Sequence, residues 1–194
     1  MTAIHTLALA CHPHTRTDAV QAIGVRVRRS PAGVLTITYS VDANLKRLCI
    51  QPTGSPRLVH GLWEHTCVEA FIGLEQTSAY HEFNFAPSRE WMMYTFHAYR
   101  EIAPMPDQLP APEVRVHRSP NRLDLDVALR LHALSPAHPI APLRLAIAAV
   151  IEDASGQLSY WALRHPPGRP DFHHAQAFAL TLPAPGVDSN VDPR

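Results

Sequence analysis

Apolar and polar residues alternate with a period of two along most of this chain, and the alternation is densest between Gly61 and Arg100. Val68, Ala70 and Ile72 alternate with Cys67, Glu69 and Phe71, and Phe83 and Phe85 alternate with Tyr80, Glu82 and Asn84. A period of two places successive side chains on opposite faces of a strand. Residues 73–79 can turn the chain, so the two runs predict an antiparallel hairpin. The register that keeps carboxylates out of the core puts Val68, Ala70, Ile72, Phe83 and Phe85 on one face, since a one-residue slip would bury Glu69 and Glu82 among them. His81 shares that face and needs a partner. Cys67, Glu69, Phe71, Tyr80, Glu82 and Asn84 share the other. Pro87 and Ser88 predict the next turn. Beyond it Met92, Tyr94 and Phe96 are expected to extend the apolar face, with Trp91, Met93, Thr95, His97 and Tyr99 on the second.

The remainder reads the same way. Strands are predicted over 4–12, 20–29, 35–41, 114–116, 123–129, 143–151 and 158–163, and a last one within 177–182. Leu123, Leu125, Val127 and Leu129 alternate with Arg122, Asp124, Asp126 and Arg130 in the cleanest amphipathic strand of the chain. Residues 45–50 suit a strand or a short helical turn. Proline-rich connections occupy 101–112, 132–142 and 164–175, and residues 184–194 are expected to form a flexible tail. The prediction is an all-β, antiparallel two-sheet β-sandwich of about ten strands with little helix, in a single domain over 1–183.

Composition narrows the function classes. Lys plus Arg (17) equals Asp plus Glu (17) among 194 residues, so nothing favours nucleic acid or an anionic membrane as partner. The three cysteines show no paired spacing, which argues against a disulfide framework and for reduced thiols in a cytoplasm. The apolar run near the N-terminus lacks a preceding Lys or Arg and is read as the first strand. No segment approaches the length of a membrane span.

Two blocks, LWEHTCVEAFIG and YHEFNFAPSREW, resemble the DOMON-like superfamily, and more narrowly the family 9 carbohydrate-binding modules and their bacterial relatives. The closing stretch, YWALRHPPGRPDFHHAQAFALTL, is similar to that family's last hairpin, whose long loop crosses one rim of the site. The resemblance implies a jelly-roll β-sandwich that binds a small sugar or glycan without catalysis. In the family two tryptophans sandwich the sugar. Trp63 matches the first; the second would fall within 171–174, where this chain has Asp-Phe-His-His, so Phe172 or a histidine would stand in its place. The ligand-binding residues expected are Trp63, Glu64, Glu82, Asn84, Trp91, Arg164, Asp171, Phe172 and His173. Aromatic rings pack on the C–H faces of sugars while carboxylates and amides take the hydroxyls.

Other chemistries leave weaker traces. Some relatives bind haem, so a haem- or metal-binding domain using the histidines is an alternative reading. His165, Asp171, His173 and His174 are metal-ligand types in one loop. Adjacent histidines between prolines make a poor tetrahedral set, and no metal ligand or cofactor is assigned. Glu69 and Glu82, as neighbours on one face, could do acid–base work in a glycoside hydrolase. No GxSxG, P-loop or GxGxxG motif is present. Cys67, inside a strand, reads as a small buried hydrophobe. The residues favour a binding module over an enzyme.

Overall fold

A computed structural model describes residues 3–106 and 108–186. The last eight residues of the expected tail, 187–194, lie outside the described residues. Among the described residues thirteen strands are formed: β1 (Ile4–Cys11), β2 (Val20–Arg29), β3 (Val34–Ala43), β4 (Arg57–Leu58), β5 (Cys67–Leu74), β6 (Tyr80–Phe85), β7 (Glu90–Ala98), β8 (Glu101–Ile102), β9 (Glu113–Ser119), β10 (Arg122–Arg130), β11 (Leu143–Glu152), β12 (Leu158–Ala162) and β13 (Leu180–Leu182). Among the described residues the only helical segments are single 3-10 turns; one is Leu45–Arg47, where a strand or short turn is predicted.

The strands hydrogen-bond in the order β4-β7-β6-β5-β11-β12-β1-β2-β3-β10-β9, with β8 beside β7 and β13 beside β11. They form one large curled sheet rather than the separate pair the sequence suggests. The join is β1, which pairs with β2 from Ile4 to Leu9 and with β12 at Ala10 and Cys11. The curl brings the two halves face to face over one apolar core. Val25, Val27, Leu35, Ile37, Val41, Leu123 and Leu125 meet Val68, Ala70, Ile72, Phe83, Phe85, Leu145 and Ile147 there. Tyr39 crosses this core fully buried, and its hydroxyl donates to the Glu69 carbonyl at 2.7 Å. That bond satisfies the one polar atom of a buried ring and ties β3 to β5.

The β5–β6 register is the one the alternation predicts: Val68 lies opposite Phe85, Ala70 opposite Phe83, and Glu69 opposite Asn84. His81 faces the core and finds Thr95 Oγ1 at 3.0 Å. The β7 assignment needs correcting. Trp91, Met93 and Thr95 pair with Phe85, Phe83 and His81 on the core face, and Met92, Tyr94 and Phe96 lie on the other. The cause is the turn. Ala86 N–H donates to the Glu90 carbonyl, and Arg89 has φ 73°. The loop therefore has three residues, Pro87-Ser88-Arg89, with a left-handed third position, instead of the two that Pro87-Ser88 suggested. One extra residue moves every later side chain to the opposite face.

Candidate functional site

Outside the core, the second face of β5, β6, β7, β11 and β12 is also covered. Cys67, Phe71, Tyr80, Met92, Tyr94, Phe96, Ala146, Ala148, Val150 and Ala162 form a second apolar cluster with Phe172. The cover has a topological origin. β12 and β13 pair with the same strand, β11, at Ala148–Glu152 and at Leu143–Leu145 respectively. The chain between Ala162 and Leu180 must leave the sheet and return to it. Its excursion carries Pro170, Phe172 and His173 over the second face. Between that loop and the sheet lies a cleft of about 490 Å³.

Aromatic groups make the cleft walls: Trp63, Tyr94, Phe96, Tyr160 and Phe172. Trp63 sits on the 3-10 turn Leu62–Glu64 that feeds β5, is 42% exposed, and meets Tyr94 edge to face at 5.6 Å. Phe172 is largely buried, and His173 packs against Phe71 and Phe96 with ring centroids 5.0 Å away in each case. Arg100, Ile102, Val150 and Pro170 complete the lining with Glu69, Glu82 and His173.

The polar groups form a connected set. Glu82 stands opposite Tyr94 and Phe71, and Glu69 opposite Asn84 and Ala148, so the two carboxyls are diagonal neighbours on adjacent strands. Asn84 Nδ2 donates to Glu82 Oε1 at 2.7 Å, while Asn84 Oδ1 is buried without a partner among the described residues. His173 Nε2 lies 3.5 Å from Glu82 Oε2, and its Nδ1 is 2.8 Å from the Tyr80 hydroxyl. The Arg100 backbone N–H donates to that hydroxyl at 3.2 Å. With Tyr80 donating to Nδ1, the neutral imidazole carries its proton on Nε2, toward Glu82. Asp171 braces the rim: it accepts from Tyr99 at 2.6 Å, from Arg100 at 3.0 Å and from the His173 backbone at 3.1 Å.

Burial sets the protonation states. Glu69 is 3% exposed, and its side chain's one hydrogen bond among the described residues comes from the Cys67 thiol at 3.5 Å. Burial, then the neighbouring Glu82, pushes its carboxyl well above the usual carboxylate range. Burial also raises Glu82, but the bond from Asn84 and the nearby Arg100 guanidinium oppose the rise. Burial, with Arg100 close by, lowers His173 to about 4. Burial and the adjacent Glu69 push the Cys67 thiol far up, so it is a packed thiol and weak donor rather than a nucleophile.

The residues singled out in the sequence are distributed as follows. Trp63, Glu82, Phe172 and His173 line the cleft, Asn84 supports Glu82, and Asp171 holds the rim. Glu64 and Arg164 are exposed and are not among the lining residues. Trp91 is buried in the core on the opposite face, removed from the cleft by the three-residue loop. Tyr94, Phe96, Arg100, Ile102, Val150 and Tyr160 were not anticipated as site residues; the β7 parity hid the first two, though the correct loop length would have found them. The histidines of the 165–174 loop are dispersed. His165 Nε2 contacts the Ala10 carbonyl at 2.8 Å, His173 enters the cleft, and His174 Nδ1 caps the Ala175–Ala177 turn by accepting from Gln176. Among the described residues no three His, Cys, Asp or Glu side chains are grouped to hold a metal ion.

No protein-family profile matches the chain, and no curated protein sequence matches it. Solved structures do share its fold. A family 9 carbohydrate-binding module from Caldicellulosiruptor kristjanssonii in complex with glucose aligns with a TM-score of 0.60 at 9% identity, over 92% of this chain and 84% of the module. A module of that family from the same organism in complex with cellotriose aligns at 0.56 and 9% identity, over 85% and 75%. A Bacteroides uniformis ATCC 8492 protein, provisionally described as carbohydrate-binding, aligns at 0.59 and 16% identity, over 90% and 84%. At these identities the likeness is one of fold.

Proposed function

We propose that this protein is a carbohydrate-binding module of family 9 type, a jelly-roll β-sandwich of DOMON-like ancestry that holds a small sugar in the cleft without transforming it. The observation that carries the reading is the pairing, in one cleft, of aromatic walls with a recessed hydrogen-bonding floor. The half-exposed Trp63 indole offers a face for the C–H surface of a pyranose, and Phe172 and Tyr94 bound the same space. Glu82, propped by Asn84, is positioned to accept from sugar hydroxyls. The fold shared with modules solved around glucose and cellotriose supports the same reading. Three unpaired cysteines fit a reducing compartment such as the cytoplasm.

The test is a calorimetric or tryptophan-fluorescence titration with mono- and disaccharides. One tryptophan platform predicts a dissociation constant on the order of 0.1–1 mM. Trp63→Ala removes a platform worth roughly 2 kcal/mol, about thirtyfold in affinity, and leaves the circular dichroism spectrum unchanged. Titrations in which no sugar perturbs the wild-type protein would sink the reading.

A second reading, glycoside hydrolysis, draws on the diagonal placement of Glu69 and Glu82 and on the different environments of the two carboxyls. It predicts turnover of aryl glycosides that Glu82→Gln abolishes. Absence of turnover across a glycoside panel, with binding retained, leaves the module reading alone.

A further inference from the structure

The cleft has an uneven charge inventory. Its lining holds two carboxyl groups, Glu69 and Glu82, and two basic groups, Arg100 and His173. The Arg100 guanidinium is already committed: its side chain is 53% exposed at the rim and paired with Asp171 at 3.0 Å. His173 is kept neutral by its burial. Neither basic group therefore supplies a free positive charge to the deep part of the site.

Glu69 is the sharper anomaly. It is almost entirely out of water, yet it lines the cleft. Its single side-chain hydrogen bond, from the Cys67 thiol, reaches Oε1; among the described residues Oε2 has no protein partner. No ion pair forms with it among those residues, and its nearest charged influence is another carboxyl, Glu82. Packing alone would be served better by an apolar residue, because a carboxyl so nearly buried, with a thiol as its one donor, carries a desolvation penalty. The Cys67 thiol is a weak donor and does not offset it. A donor-rich cation entering the cleft would, since an ammonium group brings three N–H donors together with the positive charge that lets Glu69 release its proton and ionise. The walls suit the same guest. Rings of Trp63, Tyr94, Phe96, Tyr160 and Phe172 line the space, and aromatic faces attract a cation most strongly where water is excluded.

We infer that the cleft selects ligands bearing a protonated amine, with Glu82, and Glu69 once it gives up its proton to water as the ammonium is seated, as the anionic floor and the aromatic rings as walls. This rests on the carbohydrate reading above and narrows it: the ligand class is an amino sugar with a free amine rather than a neutral or N-acylated one. Glu69 is the specificity-determining residue, because Glu82 is already engaged by Asn84 and His173.

The experiment compares glucosamine, N-acetylglucosamine, glucose and tetramethylammonium as ligands of the intact wild-type protein at about pH 6, where the sugar amine is protonated. Glucosamine should bind at least about tenfold more tightly than either neutral sugar, the margin of a charge-assisted hydrogen bond in a desolvated site. In Glu69→Gln the ratio of glucosamine to glucose affinity should fall toward one. Equal affinities for all three sugars in the wild type, or preference for N-acetylglucosamine, overturn the inference and leave the carbohydrate reading standing. Tetramethylammonium binding without binding of any sugar overturns the amino-sugar inference together with the carbohydrate reading, and shows that the rings alone hold a cation that offers Glu69 no N–H donor. Failure of all four ligands overturns both. The wild-type comparison decides the matter even if Glu69→Gln does not fold.

Discussion

Acid should weaken this fold through His138, by an amount that can be worked out. His138 lies in the proline-rich connection before β11 and is 5% exposed. Its Nδ1 meets Ser135 Oγ at 2.8 Å, and its Nε2 is buried without a partner among the described residues. The His81 ring stands 5.2 Å away, and the Arg29 guanidinium donates to the His138 carbonyl at 2.7 Å. Burial, then these two basic neighbours, lowers the imidazole from its ordinary 6.5 to about 4. The unfolded chain therefore takes up a proton between pH 6.5 and 4 that the native state refuses. Stability contributed by the neutral ring is complete above about pH 6.5, falls through the window, and changes no further below about 4. Between pH 7 and pH 5 the loss is about 2 kcal/mol. His173, also near 4, adds a loss of the same sign. Glu69 and Glu82, whose carboxyls are raised in the fold, oppose it. The decisive quantity is therefore a difference. Urea denaturation of the wild type and of His138→Gln at pH 7, 6 and 5 should show the variant losing about 2 kcal/mol less over that range, whatever its stability at pH 7. Identical pH slopes would show that His138 titrates alike in both states and that the argument from burial is wrong.

Glu69→Gln should reverse an opposite trend. The native state holds the Glu69 proton that the unfolded chain releases above the ordinary carboxylate pKa, so this group's contribution is full below that value and is lost as pH rises. The amide variant should be more stable than the wild type in thermal melts at pH 8 and no more stable at pH 4; a variant that melts lower at pH 8 contradicts this. Tyr39→Phe removes the donor that spans the core to the Glu69 carbonyl and should cost about 1 kcal/mol in denaturant stability at an unchanged m-value; a neutral effect would mean the cross-core bond contributes nothing. Gly73→Ala would place a methyl 2.9 Å from the Ala79 carbonyl oxygen and 3.2 Å from the Arg144 guanidinium at the mouth of the β5–β6 hairpin. A loss of about 1–3 kcal/mol is expected in the same assay, and an unchanged midpoint would show that the hairpin mouth yields freely.

What the sequence by itself determined is local in origin. Alternation at Val68–Ile72 against Tyr80–Phe85 set the hairpin register and put Glu69 and Glu82 on one face, because a slip would have buried two carboxylates in an apolar core. The amphipathic run Arg122–Arg130 likewise declared its inward leucines. What only the tertiary structure decided is what lies over each face. Alternation says which side chains are neighbours but not whether a face meets water, a second layer or a loop. An arginine at φ 73° gave no warning of a left-handed turn position, since the residues that advertise one are glycine and asparagine, and that one residue sent Trp91 into the core and Tyr94 into the cleft. The cover over Glu69 and Glu82 came from β12 and β13 sharing a strand, a pairing between segments nearly twenty residues apart that no local pattern encodes. Burial of those carboxyls, and with it their protonation and the chemistry of the cleft, follows from that long-range pairing, because desolvation is a property of everything packed around a group rather than of its neighbours in the chain.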